Sequence, residues 1–449
     1  MSLSGALTSA VTGIDAQSRA LGAISDNISN SQTTGYKRVD TQFSTLLTVS
    51  NAFVHEPGGV TSKPHYTNDI QGTVQQTSIE TNLGISGEGY FAVSRVAGVN
   101  GTSLPSFEAD PLYTRAGDFN LDNNGFLVNN SGYYLNGWNV DPTTGIVSKN
   151  QLVQIRLNQL KANPEATANI TYSVNLPTTP QATLSATKVD FFDAQGTSHA
   201  LDITWAPKVV AGVTSNDTWT MTVDSTDTSI TSAATPGLPV TADVQFYLVD
   251  TGTNKAGSIA AITNINDPSG AVATPGGTAA TIPLGINFGG STATSQAVNL
   301  GLGTYGDASQ TTMFTGTDVN FISAQQDGLP PGAFRNLDID AHGLITLNFD
   351  NGARKTEFQV PVTQFNNYDG LQAQNGNAFS TTVASGTPSI HSAGDNGTGT
   401  IIASSVEGAN VDIAAEFTKL IQTQRAYEAN TKVITAVNDL LQQTNNLVR

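Results

Sequence analysis

Residues 3–28, LSGALTSAVTGIDAQSRALGAISDNI, place Leu3, Leu7, Ala10, Ile14, Gln17, Leu21, Ile24 and Ile28 at alternating steps of four and three. That spacing predicts a helix with one narrow apolar seam, the a/d pattern of helix-to-helix packing. The remaining faces carry Ser, Thr, Ala and Gly with few charges, and Gly5, Gly13 and Gly22 lie off the seam. Each glycine costs about 1 kcal/mol of helix propensity relative to alanine, so this helix needs a partner.

The far end repeats the pattern. Phe417, Leu420, Gln424, Tyr427, Thr431, Ile434, Asn438 and Leu441 follow the same three–four spacing. Asn410 is the expected N-cap, with Asp412 and Glu416 in the first turns, where the helix dipole favours anions. Glu428 and Lys432 form a favourable i,i+4 pair. Two such helices either pack separately on a central domain or pair with each other. A surface helix of a globular domain usually shows a wider apolar face, so the narrow seams favour pairing of 1–30 with 406–449 as a coiled-coil domain.

Between the helices the period changes to two. Gly89–Val96, the stretch Tyr113–Trp138 with its Asn/Gly turns, Lys188–Trp205 around a turn at Ala194–Gly196, Trp219–Val223 and Asp243–Val249 all read as strands. Leu344–Phe349 and Thr356–Val360 flank an Asn351–Gly352 turn. Thr251–Ser295 reads as loop-heavy, with turns at Pro236–Gly237 and Pro275–Gly276. The fold class is therefore mainly β with terminal α-helices. The hairpin-rich flanks, 78–150 and 326–405, make one inner β-domain, and 151–325 is inserted into it as an outer β-domain. Its part near 230–310 is variable, loop-rich or an extra domain.

The composition excludes several kinds of chemistry. Zero cysteine removes disulfides, thiolate catalysis and Cys-ligated metals. A net charge of −17 opposes nucleic acid and anionic membrane surfaces. Only 12% of residues are charged, against about 25% in an average domain. No apolar run reaches the roughly 18 residues of a spanning helix, so no membrane insertion is expected. The first basic residue is Arg19, so the N-terminus does not read as a Sec-type signal.

The candidate motifs are weak. Gly301, Gly303 and Gly306 spell GxGxxG without a following helical period and read as a β-turn. Asp338, Asp340, His342 and Gly343 start like a calcium loop, but Phe349 stands where the bidentate Glu belongs. Asp118, Asn120 and Asp122 fail similarly, so both stretches read as polar hairpin turns. His55, His65, His199, His342 and His391 show no metal-ligand spacing. No catalytic residue, metal site or cofactor is expected.

Leu21–Arg38, LGAISDNISNSQTTGYKR, closely resembles the N-terminal signature of bacterial flagellar rod and hook axial proteins. The matching residues are Asn27, Asn30, Thr34, Gly35, Tyr36 and Lys37. Gly408–Gln442 resembles that family's C-terminal signature through Asn410-Val411-Asp412, Glu416-Phe417, Gln424-Arg425-Ala426-Tyr427 and Asn430. Asp190–Thr204 is similar to a hairpin of the inserted domain of hook subunits, and Gln326-Asp327-Gly328 to the return into their inner domain. Ser31-Gln32 departs from the usual Asn-Val, and the resemblance is weak across 230–310.

The resemblance implies a structural subunit of the flagellar hook in the basal-body axis. It would polymerise through its terminal helices into a curved, flexible extracellular tube, a universal joint transmitting motor torque to the filament. The implied partners are further copies of the chain, the distal rod, the hook cap, the hook–filament junction proteins and the type III export apparatus. That apparatus exports subunits unfolded, without a cleaved signal. Residues 31–77 would be a linker or hinge. The same class also contains distal rod and hook–filament junction proteins. A secreted β-rich adhesin or polysaccharide enzyme is the rival from another class; it would carry a signal peptide and an aromatic sugar-binding cluster.

Overall fold

A computed structural model describes residues 3–50, 55–98, 105–141, 144–157, 161–179, 186–231, 238–266, 278–288 and 295–447. It is mainly β with helices at the ends: α1 (Leu3–Ser29) and α2 (Ile413–Leu447). The turns expected at Pro236–Gly237 and Pro275–Gly276 lie outside the described residues. The chain divides into two compact units. The first holds Met1–Gln159, Asn336–Asn348 and Arg354–Arg449; the second holds Leu160–Arg335 and Phe349–Ala353. These limits differ from 150/151 and 325/326 for local reasons. Val147–Gln154 pairs with Tyr134–Val140 in the first unit. In the second, the Asp327 carboxylate accepts the backbone N–H groups of Ala168 and Asn169.

Directly after α1 the chain forms a long antiparallel hairpin, β1 (Val39–Ser50) and β2 (His55–Tyr66). Residues 31–77 are therefore not a free linker. The odd positions of β1, Val39, Thr41, Phe43, Thr45, Leu47 and Val49, already carry a strand period. Pro57, Gly58 and Gly59 hid its partner. Gly59 has φ +124°, and a Cβ there would collide with Thr12, so the glycine lets β2 lie directly against α1. The Thr12 hydroxyl accepts the Val60 N–H at 3.2 Å.

The body of the first unit is a sheet whose path runs Leu344–Phe349, Arg354–Gln359, Tyr134–Val140, Phe91–Ser94, Leu112–Thr114, Ala378–Ser380 and Gln372–Gln374. Tyr90, Tyr113, Phe365 and Phe379 meet edge to face on it, with ring centroids 4.8–6.3 Å apart. Short pairings tie the return of the chain to its start: Leu83–Ser86 with Thr400–Ala403, and Val74–Gln76 with Ser405–Glu407.

In the second unit two sheets close over one core. A meander of Thr187–Phe192, Ser198–Val210, Val213–Asp224, Val240–Phe246 and Ile259–Asn266 supplies Phe191, Ile203, Trp205, Trp219 and Val244. The other sheet, including Asn169–Pro177, Ala279–Phe288 and Ser295–Thr304, supplies Tyr172, Ile282, Ile286 and Leu300. Each fully buried side chain of this kind contributes about 1.5–3 kcal/mol. The described part of Thr251–Ser295 is thus largely strand rather than loop. Thr281, Pro283, Gly285 and Asn287, interleaved with the buried Ala280, Ile282, Leu284 and Ile286, gave the strand Ala279–Phe288 a loop-like composition.

Four turns among the described residues share one construction. In Asp122–Phe126, Asn129–Tyr133, Asp193–Thr197 and Asp340–Leu344 the first side chain accepts two backbone N–H groups, two and four residues on. The fourth residue is glycine with φ +79° to +83°. The calcium-like stretches run into two of these turns, where the Asp122 and Asp340 carboxylates are occupied by their own backbone. Among the described residues no group of three or more His, Asp or Glu is placed to hold a metal.

Candidate functional site at the paired termini

α1 and α2 lie side by side and antiparallel: Asn27 meets Glu416, and Gly13 meets Asn430. The face α1 buries is Ala10, Gly13, Ala16, Ala20, Ile24 and Asn27, mostly small residues. At Gly13 a Cβ would stand 2.8 Å from the Asn430 amide, so glycine sets a close approach. Leu7, Ile14, Leu21 and Ile28 flank that face, half-buried; the side chain of Leu3 lies outside the described residues. On α2 the inward line is Glu416, Leu420, Thr423, Asn430, Ile434 and Val437. Of the expected seam, Leu420 and Ile434 are half-buried, while Gln424, Phe417, Tyr427 and Leu441 are exposed. A 3.5-residue period drifts around a straight 3.6-residue helix, and the small face of α1 selects the line one position away.

Asn27 is fully buried where the helices meet the hairpin. Its Nδ2 donates to the Val39 carbonyl at 3.0 Å and to Glu416 Oε2 at 3.1 Å. Its Oδ1 accepts from the Val39 N–H at 3.0 Å and the Tyr36 hydroxyl at 3.2 Å. Glu416, also fully buried, accepts from Lys419 Nζ at 2.8 Å, and Lys419 reaches Asp40 at 2.8 Å. Burial works to lower the Lys419 ammonium, but its bonds to Asp40 and Glu416 win and raise it. Burial, with Asp26 and Glu416 nearby, raises the Tyr36 phenol.

A second knot sits beside it. Glu407 is buried and accepts from Lys37 Nζ at 2.7 Å, Arg115 at 2.8 Å and the Gly72 N–H at 2.8 Å. Lys37 also donates to the Ile70 carbonyl, and Arg115 lies over the Tyr90 ring at 5.3 Å. Burial pulls the Lys37 ammonium below its ordinary value; Glu407 opposes this and Arg115 adds to it. Two cations share one carboxylate in a dry site, so removing Glu407 would leave uncompensated charge. Gly35 has φ +68° and lies hard against the Ala116 backbone, while Thr34 accepts from Asn377.

Asn410 is not the helix cap. It accepts the Arg38 N–H and donates to Thr67 and Ile70, holding the hairpin base. Asp412 caps α2, accepting the N–H groups of Ala414 and Ala415. Asn30 binds Asp26 and Thr33 locally, and Arg425 is exposed. Tertiary structure adds Arg115, Glu407, Asp40 and Lys419 to the site. The one available signal was a charged residue inside an apolar strand pattern, Arg115 in Tyr113-Thr-Arg115-Ala.

A further polar cluster lies in the second unit, on a cavity of about 640 Å³. Buried His199 stands 2.6 Å from Asp227 and 3.2 Å from the Ser229 hydroxyl, both at Nδ1, with Asp193 3.4 Å from Nε2. The Ser229 hydroxyl donates to Asp227 Oδ1 at 2.7 Å, so the cluster ties the Asp193 and Asp227 turns to the ring between them.

The chain matches three families: flagella basal body rod protein over residues 7–37, flagellar hook protein FlgE/F/G D1 domain over 84–175, and flagellar basal body rod FlgEFG protein C-terminal over 402–447. The flagellar hook protein FlgE of Brucella abortus is 30% identical over 454 residues, covering 100% of both chains. The chain belongs to the flagellar hook protein family. The FlgE of Rhizobium meliloti is 29% identical, again over 100% of both chains. A crystal structure of Helicobacter pylori flagellar hook protein FlgE2 aligns with 73% of this chain and 98% of its own, at 15% identity and a TM-score of 0.46. As a hook family member the chain is a structural subunit of the flagellar hook, and self-polymerisation in the flagellar axis follows from that membership. The two terminal matches enclose Asn27, Lys37, Glu407 and Glu416, the side chains that fasten the ends of the chain together.

Proposed function

We propose that the subunit polymerises through its paired termini into a curved, flexible tube that transmits motor torque to the filament as a universal joint. The observation that carries this is the full-length match to hook proteins together with an apolar flank of α2, Ile413, Phe417 and Ile421, that the chain itself leaves uncovered. The role is mechanical, with no catalytic step. The layout we favour keeps the paired helices innermost, the β-domain of 78–150 and 326–405 around them, and 151–325 outermost. The distal rod, the hook cap and the hook–filament junction proteins are the neighbours this role requires. Unfolded passage through the type III export apparatus suits a chain without cysteine and with a weak α1.

Ile24→Asp tests the reading by forcing a charge into the α1 interface. The variant should secrete and keep its β-sheet circular dichroism, yet form no tubes by negative-stain microscopy. Hooks of normal length and curvature from this variant would sink it.

A further inference from the structure

The two sides of the helix pair are unlike. With the Glu416 direction taken as facing α1, the roughly 100° step of an α-helix sends Ile413, Phe417 and Ile421 out between about 60° and 140° on one flank. Phe417 and Ile421 are each 50% exposed. The same step sends Lys419 and Gln422 to the opposite flank. There α1, β1 and α2 enclose a groove of about 370 Å³, lined by Ala20, Ala23, Ile24, Val39, Phe43 and Lys419. Its floor is apolar, its lip is the half-exposed Phe43, and the Lys419–Asp40 pair closes one edge. One flank thus presents a row of large apolar side chains, and the other a concave apolar surface that could receive them.

We infer that the Ile413–Phe417–Ile421 row of one copy seats in the Ile24–Phe43 groove of the next. The inference rests on the self-assembly reading and specifies its contact. A row and a groove on opposite flanks of one helix pair make a heterologous contact. Such a contact leaves a free row and a free groove at the two ends of every pair of copies, so it propagates, whereas a self-complementary patch would close as a dimer. Stripe and groove are both uncovered in the single chain, and burying them removes apolar surface from water on each copy at once.

The chain has no cysteine, so introduced thiols are unambiguous. The full-length double variant Ala23→Cys/Ile421→Cys, polymerised and treated with a short bis-maleimide, should give a ladder of dimers, trimers and higher species on a denaturing gel. Each single variant should stay monomeric. An equimolar mixture of the two singles should stop at dimers. The pair Thr41→Cys/Ile413→Cys repeats the test should the first variant fail to assemble. Dimers from Ile421→Cys alone would mean that the row meets itself and would overturn the inference. Cysteine-bearing tubes that give no ladder with either pair would overturn it too, leaving the assembly reading intact. Failure of the unmodified chain to form tubes would bring down both.

Discussion

Glu407 and Asn27 hold the terminal site together in different ways. Glu407 neutralises Lys37 and Arg115 in a dry site, so Glu407→Gln should cost about 3–5 kcal/mol, read by urea denaturation, because it strands buried charge. Asn27 is neutral and uses both ends of its amide; Asn27→Ala should cost about 1–3 kcal/mol by the same measurement, by leaving Val39 and Glu416 short of partners. In the second unit, hydrogen bonds from His199 and Ser229 hold the Asp227 carboxyl down at about 2, and Asp193 is also lowered: burial raises it, but bonds from Thr197 and His199 outweigh that. A lowered carboxyl contributes stability that is full above its unfolded value of about 4 and is lost as pH falls through the folded one. Thermal melting should therefore weaken between about pH 4 and pH 2, and Asp227→Asn should flatten that fall. None of these partnerships could be read from spacing. Lys37 and Glu407 are 370 residues apart in the chain.

Among the elements, both helices and most hairpins follow from periodicity, because the period is a property of the segment itself. The phase of α2 does not: which line faces inward depends on the partner, and Gly13 with Ala16 and Ala20 draws α1 in along Thr423 and Asn430. Gly13→Ala meets only the movable end of Asn430 and gains about 1 kcal/mol of propensity, so its net effect on stability should be small. Gly13→Leu should force the helices apart and abolish polymer in a sedimentation assay. The β1–β2 hairpin was hidden because Pro57-Gly58-Gly59 carries the usual signal of a linker. In place, Gly59 is where β2 touches Thr12, and Gly59→Val should release the hairpin from α1, seen as new protease cleavage within 39–66. The strands of 279–304 were obscured for another reason: the buried Ile282, Leu284, Ile286, Val298, Leu300 and Leu302 are interleaved with Thr, Pro, Gly and Asn, which carry the usual signal of turns.

At the scale of the molecule, each unit has its own core, so calorimetry of the full chain should resolve more than one transition. The tryptophans report them separately: Trp138 is buried in the first unit, Trp205 and Trp219 in the second. Trp138→Phe should silence the fluorescence change of one transition and leave the other. The sequence by itself determined the end helices, the β body between them, the absence of thiol chemistry and the hook-family resemblance at both termini. Each of these is written in local period, composition or short motifs. Only the tertiary structure decided which helix faces are buried, that 31–77 is a fastened hairpin, that Asn410 anchors the hairpin rather than capping α2, and that Glu407 joins Lys37 to Arg115. Those outcomes depend on contacts between segments hundreds of residues apart, where packing and desolvation choose among faces that local spacing leaves equivalent.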